Sequence, residues 1–393
     1  MKRIAALDML RGYALAAIMV DHMPIGVLRG FTLSNFALFD AAELFVLLSG
    51  FLVGLVWVSI EARQGRSAAQ WRFLRRAGQV WLALILGGVL MALLSRGLFE
   101  LGMPHTAVWS EYARWIIEFP VGYLVTLGIL WMQPNLLDVL ALYVVLLAIS
   151  PVLVPILLRW PWAFAAGSIA LWWVSIPLNE ALPNQRVQGG MLFNPFAWQV
   201  LFFTGVAMGA FRTRFMPVLR RHATLLTTIS ICIMILGLAM AQLWRYGPEA
   251  KEIYFLLRDN VTGTIDKWSL NAWRYAAILA AAWLVAVPLA RPLAWLAGTA
   301  PGRGLAVIGR GGLVTFVACV MLSVLGDALM MPRESTSPGF RLAVDIWTIA
   351  VLWLVGEIAA RRSARKKTAS AGAAARPPAG LDARATGTGS TPL

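Results

Sequence analysis

The sequence predicts an all-α, polytopic membrane protein of about ten transmembrane helices with both termini in the cytoplasm. Three observations carry that expectation. Of the 393 residues, 59% are hydrophobic and 13% are charged, whereas about a quarter of the residues in a soluble domain are charged. Apolar runs of roughly 20 residues, long enough to cross a bilayer, recur along the whole length. The basic residues concentrate in alternate loops instead of spreading evenly.

Taken in order, the spans are expected at residues 8–27, 41–60, 77–95, 136–158, 162–178, 195–211, 223–243, 271–290, 306–328 and 341–360. The fifth, "FAAGSIALWWVSIPL", is short. The segment "FPVGYLVTLGILWMQP", bracketed by Pro120 and Pro134, reads as a re-entrant or interfacial piece. The N-terminus and the loops after the even-numbered spans hold nineteen Lys and Arg; the other loops hold ten and most of the loop carboxylates. The positive-inside rule then places both ends in the cytoplasm. The formal charge of +15 is a topology signal by this count, and no nucleic-acid partner is expected. A basic start followed by apolar residues imitates a signal peptide, but Asp8 and Arg11 interrupt the apolar region and no small-residue cleavage site follows. Residues 1–362 are read as one membrane domain. Residues 363–393, rich in Ala, Gly, Pro, Ser and Thr and without aromatic anchors, are read as a disordered cytoplasmic tail. Cys232 and Cys319 both fall in apolar runs and are expected to be buried thiols, with neither a disulfide nor a zinc site.

The first span, "LDMLRGYALAAIMVDHMP", accepts four ionisable residues: Asp8, Arg11, Asp21 and His22. Arg11 and His22 are eleven residues apart, about 20° past three full turns, so they share a helix face about 16 Å apart along the axis. Asp8 joins that stripe and Asp21 flanks it. A charge at the centre of a span costs at least about 2.5 kcal/mol, so such residues usually face a cavity and carry function. The structural alternative is that Asp8 pairs with Arg11 near the helix end while His22 bridges to a neighbouring helix. In the second span, "NFALFDAAELFVLLSGFLVG", Asp40 and Glu43 lie one turn apart at the outer end, at the membrane level of His22. A carboxylate beside an imidazole orients it and raises its basicity. Asp40 also has the position of a helix N-cap. His105 and His222 fall in loops and read as surface residues.

The loop after the second span reads "WRFLRRAGQVW". Arg72 and Arg75, three apart, can face one way, and guanidinium forks suit phosphates. They also serve as plain positive-inside anchors. There is no glycine-rich nucleotide fingerprint, HExxH or CxxC, so neither a metal nor a nucleotide-hydrolysing site is expected.

An Arg and a His with ten residues between them in the first span, an "SGF" second span and a following RxxR resemble the membrane acyltransferase family three superfamily. Within it, "LDMLRGYALAAIMVDHMP", "FTLSNFALFDAAELFVLLSGF", "QPNLLDVLALYVVLL", "FNPFAWQVLFFTGVAMG", "DKWSLNAWRYAAILA" and "IGRGGLVTF" are similar, in order, to the blocks of the OpgC family, up to about residue 360. The resemblance implies ten spans in a bacterial inner membrane. It also implies transfer of an acyl group, succinyl in the family, from acyl-CoA to a periplasmic glucan. Succinyl-CoA or acetyl-CoA would be a co-substrate, with no bound cofactor or metal. It makes Arg11 and His22 the core pair and places Arg72, Arg75 and Arg76 beside CoA. Asp40 and Glu43 match the family's acidic block, while Asn194, Asp266, Lys267 and Arg274 sit in matching blocks without an assigned role; Asp40, Asn35, Asn194 and Lys267 are expected on the acceptor side or in the cavity. Ala141 stands where Pro is usual, and Gly312 where Ser is usual.

The residues and the resemblance meet in one mechanism. His22, oriented by Glu43 or Asp21, acts as general base on a sugar hydroxyl that attacks the thioester, while Arg11 holds the donor or stabilises developing charge. An acyl-imidazole relay through His22 is the variant. The rival class is a proton-coupled transporter or glycan flippase using the same charges as a relay; the chain shows none of the internal repeats common in transporters.

Overall fold

The computed structural model of the chain describes residues 5–374 except 104, 106, 185, 187, 188 and 332–336. Among these, helices are the only regular elements: α1 (Ala5–Asp21), α2 (Ala41–Gln64), α3 (Arg66–Glu100), α4 (Ala107–Glu118), α5 (Pro120–Gly128), α6 (Asp138–Arg159), α7 (Pro161–Trp173), α8 (Ser175–Glu180), α9 (Pro195–Arg221), α10 (Ala223–Leu243), α11 (Gly247–Leu257), α12 (Ala272–Ala286), α13 (Ala290–Gly298), α14 (Ala300–Arg310), α15 (Leu313–Met330) and α16 (Pro338–Ala374). The protein is a polytopic helical membrane protein. Six helices, α2, α3, α6, α10, α15 and residues Pro338–Arg365 of α16, are long and apolar enough to cross a membrane, and α12 with α13, bent by 73°, would make a seventh.

Several expected spans take a different form, each for a local reason. The first ends at Asp21, not at residue 27, because Pro24 and Gly26 follow and the chain turns into two short 3₁₀ helices, Leu28–Phe31 and Leu33–Asn35. The fifth breaks into α7 and α8. The ninth breaks at Gly311–Gly312, where Gly312 has φ 64°. The loop expected after the second span is helix: only Gly65 (φ 86°) separates α2 from α3, so "WRFLRRAGQVW" lies inside the 35-residue α3. Nothing between Arg66 and Arg76 breaks a helix. At nine residues α5 is too short to span; it leans on α3, with Tyr123 Oη donating to the Gly88 carbonyl at 2.7 Å. α16 continues into the segment expected to be tail, and residues 375–393 lie outside the described residues. Cys319 is buried as expected, but Cys232 is exposed. It sits on α10, an outlying helix that buries little of its surface.

α1 is the buried centre of the bundle, with every residue from Ala14 to Val20 out of solvent. Small residues let a neighbour come close: a Cβ on Gly12 would overlap the Leu305 carbonyl of α14, and one on Gly309 would overlap the Asp8 carbonyl. The two backbones therefore meet almost directly, as small residues permit between membrane helices. That packing fixes the depth at which Arg11 and His22 sit.

Candidate functional site

One cavity of about 230 Å³ opens at the His22 end of α1. Its walls include Asp21 and His22, Arg29 and Ser34 of the following turns, Asp40 at the start of α2, Asn135 and Asp138 before and at the start of α6, and Lys267 and Trp268 before α12. Ile18, Phe193 and Phe316 supply apolar surface.

His22 Nδ1 lies 2.7 Å from the Ile18 carbonyl. A carbonyl can only accept, so Nδ1 carries the hydrogen, and a neutral ring then has its lone pair on Nε2. Nε2 has no hydrogen-bond partner among the described residues. The ring is therefore oriented by its own helix, not by Glu43 or Asp21. Asp21 Oδ1 instead accepts from Thr32 Oγ1 at 2.5 Å and Ser34 Oγ at 3.3 Å, which ties the turn after α1 back to the helix.

Asp40 and Glu43 are structural and electrostatic partners at once. They form a capping box: Ala42 N–H donates to Asp40 Oδ1 at 2.8 Å, and Asp40 N–H donates to Glu43 Oε2 at 3.0 Å. The remaining oxygens are taken by cations. Arg274 meets Glu43 Oε1 at 2.6 Å and Asp40 Oδ2 at 3.2 Å; Lys267 Nζ meets Asp40 Oδ2 at 2.8 Å. Glu43 is fully buried and lies behind the cavity wall. At Asp40, burial acts to raise the carboxyl, but Lys267 and Arg274 outweigh it and hold it well below the ordinary range. At Lys267, burial acts to lower the amine, and Asp40 and Glu43 reverse that and raise it. Its ammonium also lies over the Phe193 and Trp268 rings, 5.6 and 5.5 Å from their centroids.

Asn35 and Asn194 shape the site without lining it. Asn35 donates to the Arg29 carbonyl at 2.6 Å and accepts from Arg245. Asn194 caps α9 and donates to the Ser175 carbonyl at 2.9 Å, and its backbone N–H holds the Trp268 carbonyl at 3.0 Å. Asp266 accepts from the N–H groups of Trp268 and Ser269, bending the loop that presents Lys267.

Arg11 is three turns deeper. Its Nε is buried without a hydrogen-bond partner. Arg76 lies within electrostatic range of Arg11, Arg72 and Tyr143, so these three arginines gather at the far end of the bundle; Arg72 and Arg75 are both exposed and Arg76 is half-buried. Rings lie between the two ends: Phe316, which lines the cavity, packs on Phe45 (centroids 5.6 Å apart), and Phe45 packs on Tyr143 (6.2 Å).

The family model described as OpgC protein matches residues 3–364. The chain belongs to the OpgC family. No curated protein matches it. Membership gives this OpgC-family chain a glycan-modifying, acyltransferase-like role in general and makes it a transferase. Asp138, Asn135, Trp268 and Arg29 line the cavity and had not been singled out in the sequence. The available signal was Asp138, a carboxylate opening an apolar run at the first residue of α6, one position later than the N-cap place that Asp40 takes before α2.

Proposed function

We propose that this OpgC-family protein is an inner-membrane O-acyltransferase that moves an acyl group, succinyl in the first instance, from cytoplasmic acyl-CoA to a hydroxyl of a periplasmic glucan. The observation that carries it is His22: a cavity-lining imidazole whose Nδ1–H is committed to a carbonyl, leaving Nε2 for a proton. In the reaction Nε2 takes the proton of the acceptor hydroxyl as that oxygen attacks the thioester carbonyl. The C–S bond breaks, and the departing thiolate recovers the proton. Arg11, Arg72 and Arg76 supply positive charge at the opposite end, suited to the phosphates of CoA. Purified protein given labelled acyl-CoA and oligosaccharide should yield labelled sugar ester and free CoA. A carrier or flippase would yield neither.

Two expectations follow for the arginine end. Arg72→Ala, Arg75→Ala and Arg76→Ala should each weaken acyl-CoA binding by about 1.5–3 kcal/mol, the range for hydrogen bonds to charged groups, with acceptor affinity unchanged. Titrating CoA into the purified variants checks this, and equal affinities throughout would remove the arginines from the donor site. Both termini are placed in the cytoplasm by the nineteen-to-ten distribution of basic residues. A C-terminal phosphatase fusion should accordingly be inactive in the periplasm.

A further inference from the structure

Most charged groups around the cavity are already satisfied. Asp40 has two cations and a backbone N–H; Glu43 has Arg274 and a backbone N–H. Asp21 is half-exposed and holds two hydroxyls. Asp138 differs. It is 5% exposed, its Oδ1 accepts from the Val139 N–H at 2.8 Å, and no side chain among the described residues hydrogen-bonds to its carboxylate. That carboxylate opens onto the cavity, where it can accept from water or from a hydroxyl that enters.

Its neighbour completes a pattern. Asn135 uses its side-chain oxygen on the Leu136 N–H at 3.1 Å, and its NH₂ has no partner among the described residues. Leu136 has φ 70°, an uncommon conformation for a non-glycine residue. That turn lets Asn135, Leu136, Asp138 and Val139 all reach one cavity within a few residues. The other contributing loop, with Lys267 and Trp268, contains the same feature at Leu270, φ 50°. Trp268 is 41% exposed and offers an aromatic face. An acceptor oxygen, a donor NH₂ and an aromatic plane together suit a pyranose ring: each sugar hydroxyl both gives and receives a hydrogen bond, and the C–H face of the ring packs on indole.

We infer that Asp138 is the carboxylate that binds the acceptor sugar, accepting from a ring hydroxyl while Asn135 donates to one beside it, so that the attacked hydroxyl is presented to His22. This rests on the acyltransferase reading for its purpose, but not for its test.

The full-length protein in nanodiscs would be titrated with a glucose hexasaccharide, and transfer kinetics measured alongside. Asp138→Asn keeps an oxygen for the Val139 N–H and removes the charge. It should raise the hexasaccharide Kd and the acceptor KM about ten- to a hundredfold, as expected for loss of a charged hydrogen bond. Its kcat at saturating sugar should stay within a few-fold and acyl-CoA affinity should not change. An unchanged sugar Kd, or a loss of kcat at unchanged KM, overturns the assignment, as does a parent protein that binds no hexasaccharide. If the parent binds sugar, loses it in Asp138→Asn and yet transfers no acyl group, the sugar site stands and the acyltransferase reading falls. If Asp138→Asn does not fold, Asn135→Asp, which keeps the oxygen on Leu136 N–H and removes the donor, decides in its place: weakened sugar binding supports the site and unchanged binding overturns it.

Discussion

Replacing His22 with alanine is expected to lower acyl transfer by about 10²–10⁴-fold, the usual contribution of a general base, while leaving the protein folded and its affinity for acyl-CoA intact. The forecast rests on the ring's bonding. His22 makes one hydrogen bond, and that to a carbonyl of its own helix, so its loss breaks no hydrogen bond to a neighbouring helix. A purely structural His22 would behave in the opposite way, with less folded protein and the remaining molecules active. Single-turnover transfer, normalised to protein that elutes as a monodisperse peak, separates the two. Near-parental turnover in His22→Ala would end its role as base.

Arg274→Ala is expected to be the most destabilising of the single changes considered, by about 3–5 kcal/mol, because removing one member of a buried ion pair strands the other. Glu43 is fully buried and its Oε1 has Arg274 at 2.6 Å, so that oxygen would lose its cation and Glu43 would keep only the Asp40 N–H on Oε2. Asp40 would keep Lys267 and the capping bond. The double variant Glu43→Gln with Arg274→Met removes both charges yet preserves an acceptor for the Asp40 N–H, and it should recover much of the loss. Detergent-resistance or thermal unfolding midpoints of parent, single and double variants test this; a single variant as stable as the parent would contradict it.

These two cases show where the sequence was legible. Arg11, Asp21, His22, Asp40 and Glu43 stood out because charge in an apolar run is expensive wherever the run folds, so local reading finds them. The pairing of Glu43 with Arg274 did not, since 231 residues separate them and only the assembled bundle brings α12 against α2. The nearness of Arg72 and Arg76 follows from α3 continuing as one helix, where residues three and four apart share a face. Asn35 and Asn194 were expected on the acceptor side or in the cavity; in the structure they fix turns and caps that hold Arg29 and Trp268 in place. Asp138 was hidden for a different reason: a carboxylate at the first turn of a helix is favoured by the macrodipole alone, so its sequence position gave no hint that it would open onto the cavity.

The three rings between the cavity and the arginines bear on permeability. A bundle polar at both ends, with ionisable groups along its central helix, is one continuous file of water away from conducting protons down the membrane potential. Phe316, Phe45 and Tyr143 interrupt that file with side chains that bind no water on their faces. On the proposed reaction, a thioester arm reaching His22 from the arginine end would have to pass these rings, and would itself fill the gap that it opened. The donor of that proposed reaction would be its own stopper, so that an acyl group could cross the bilayer without short-circuiting the gradient across it.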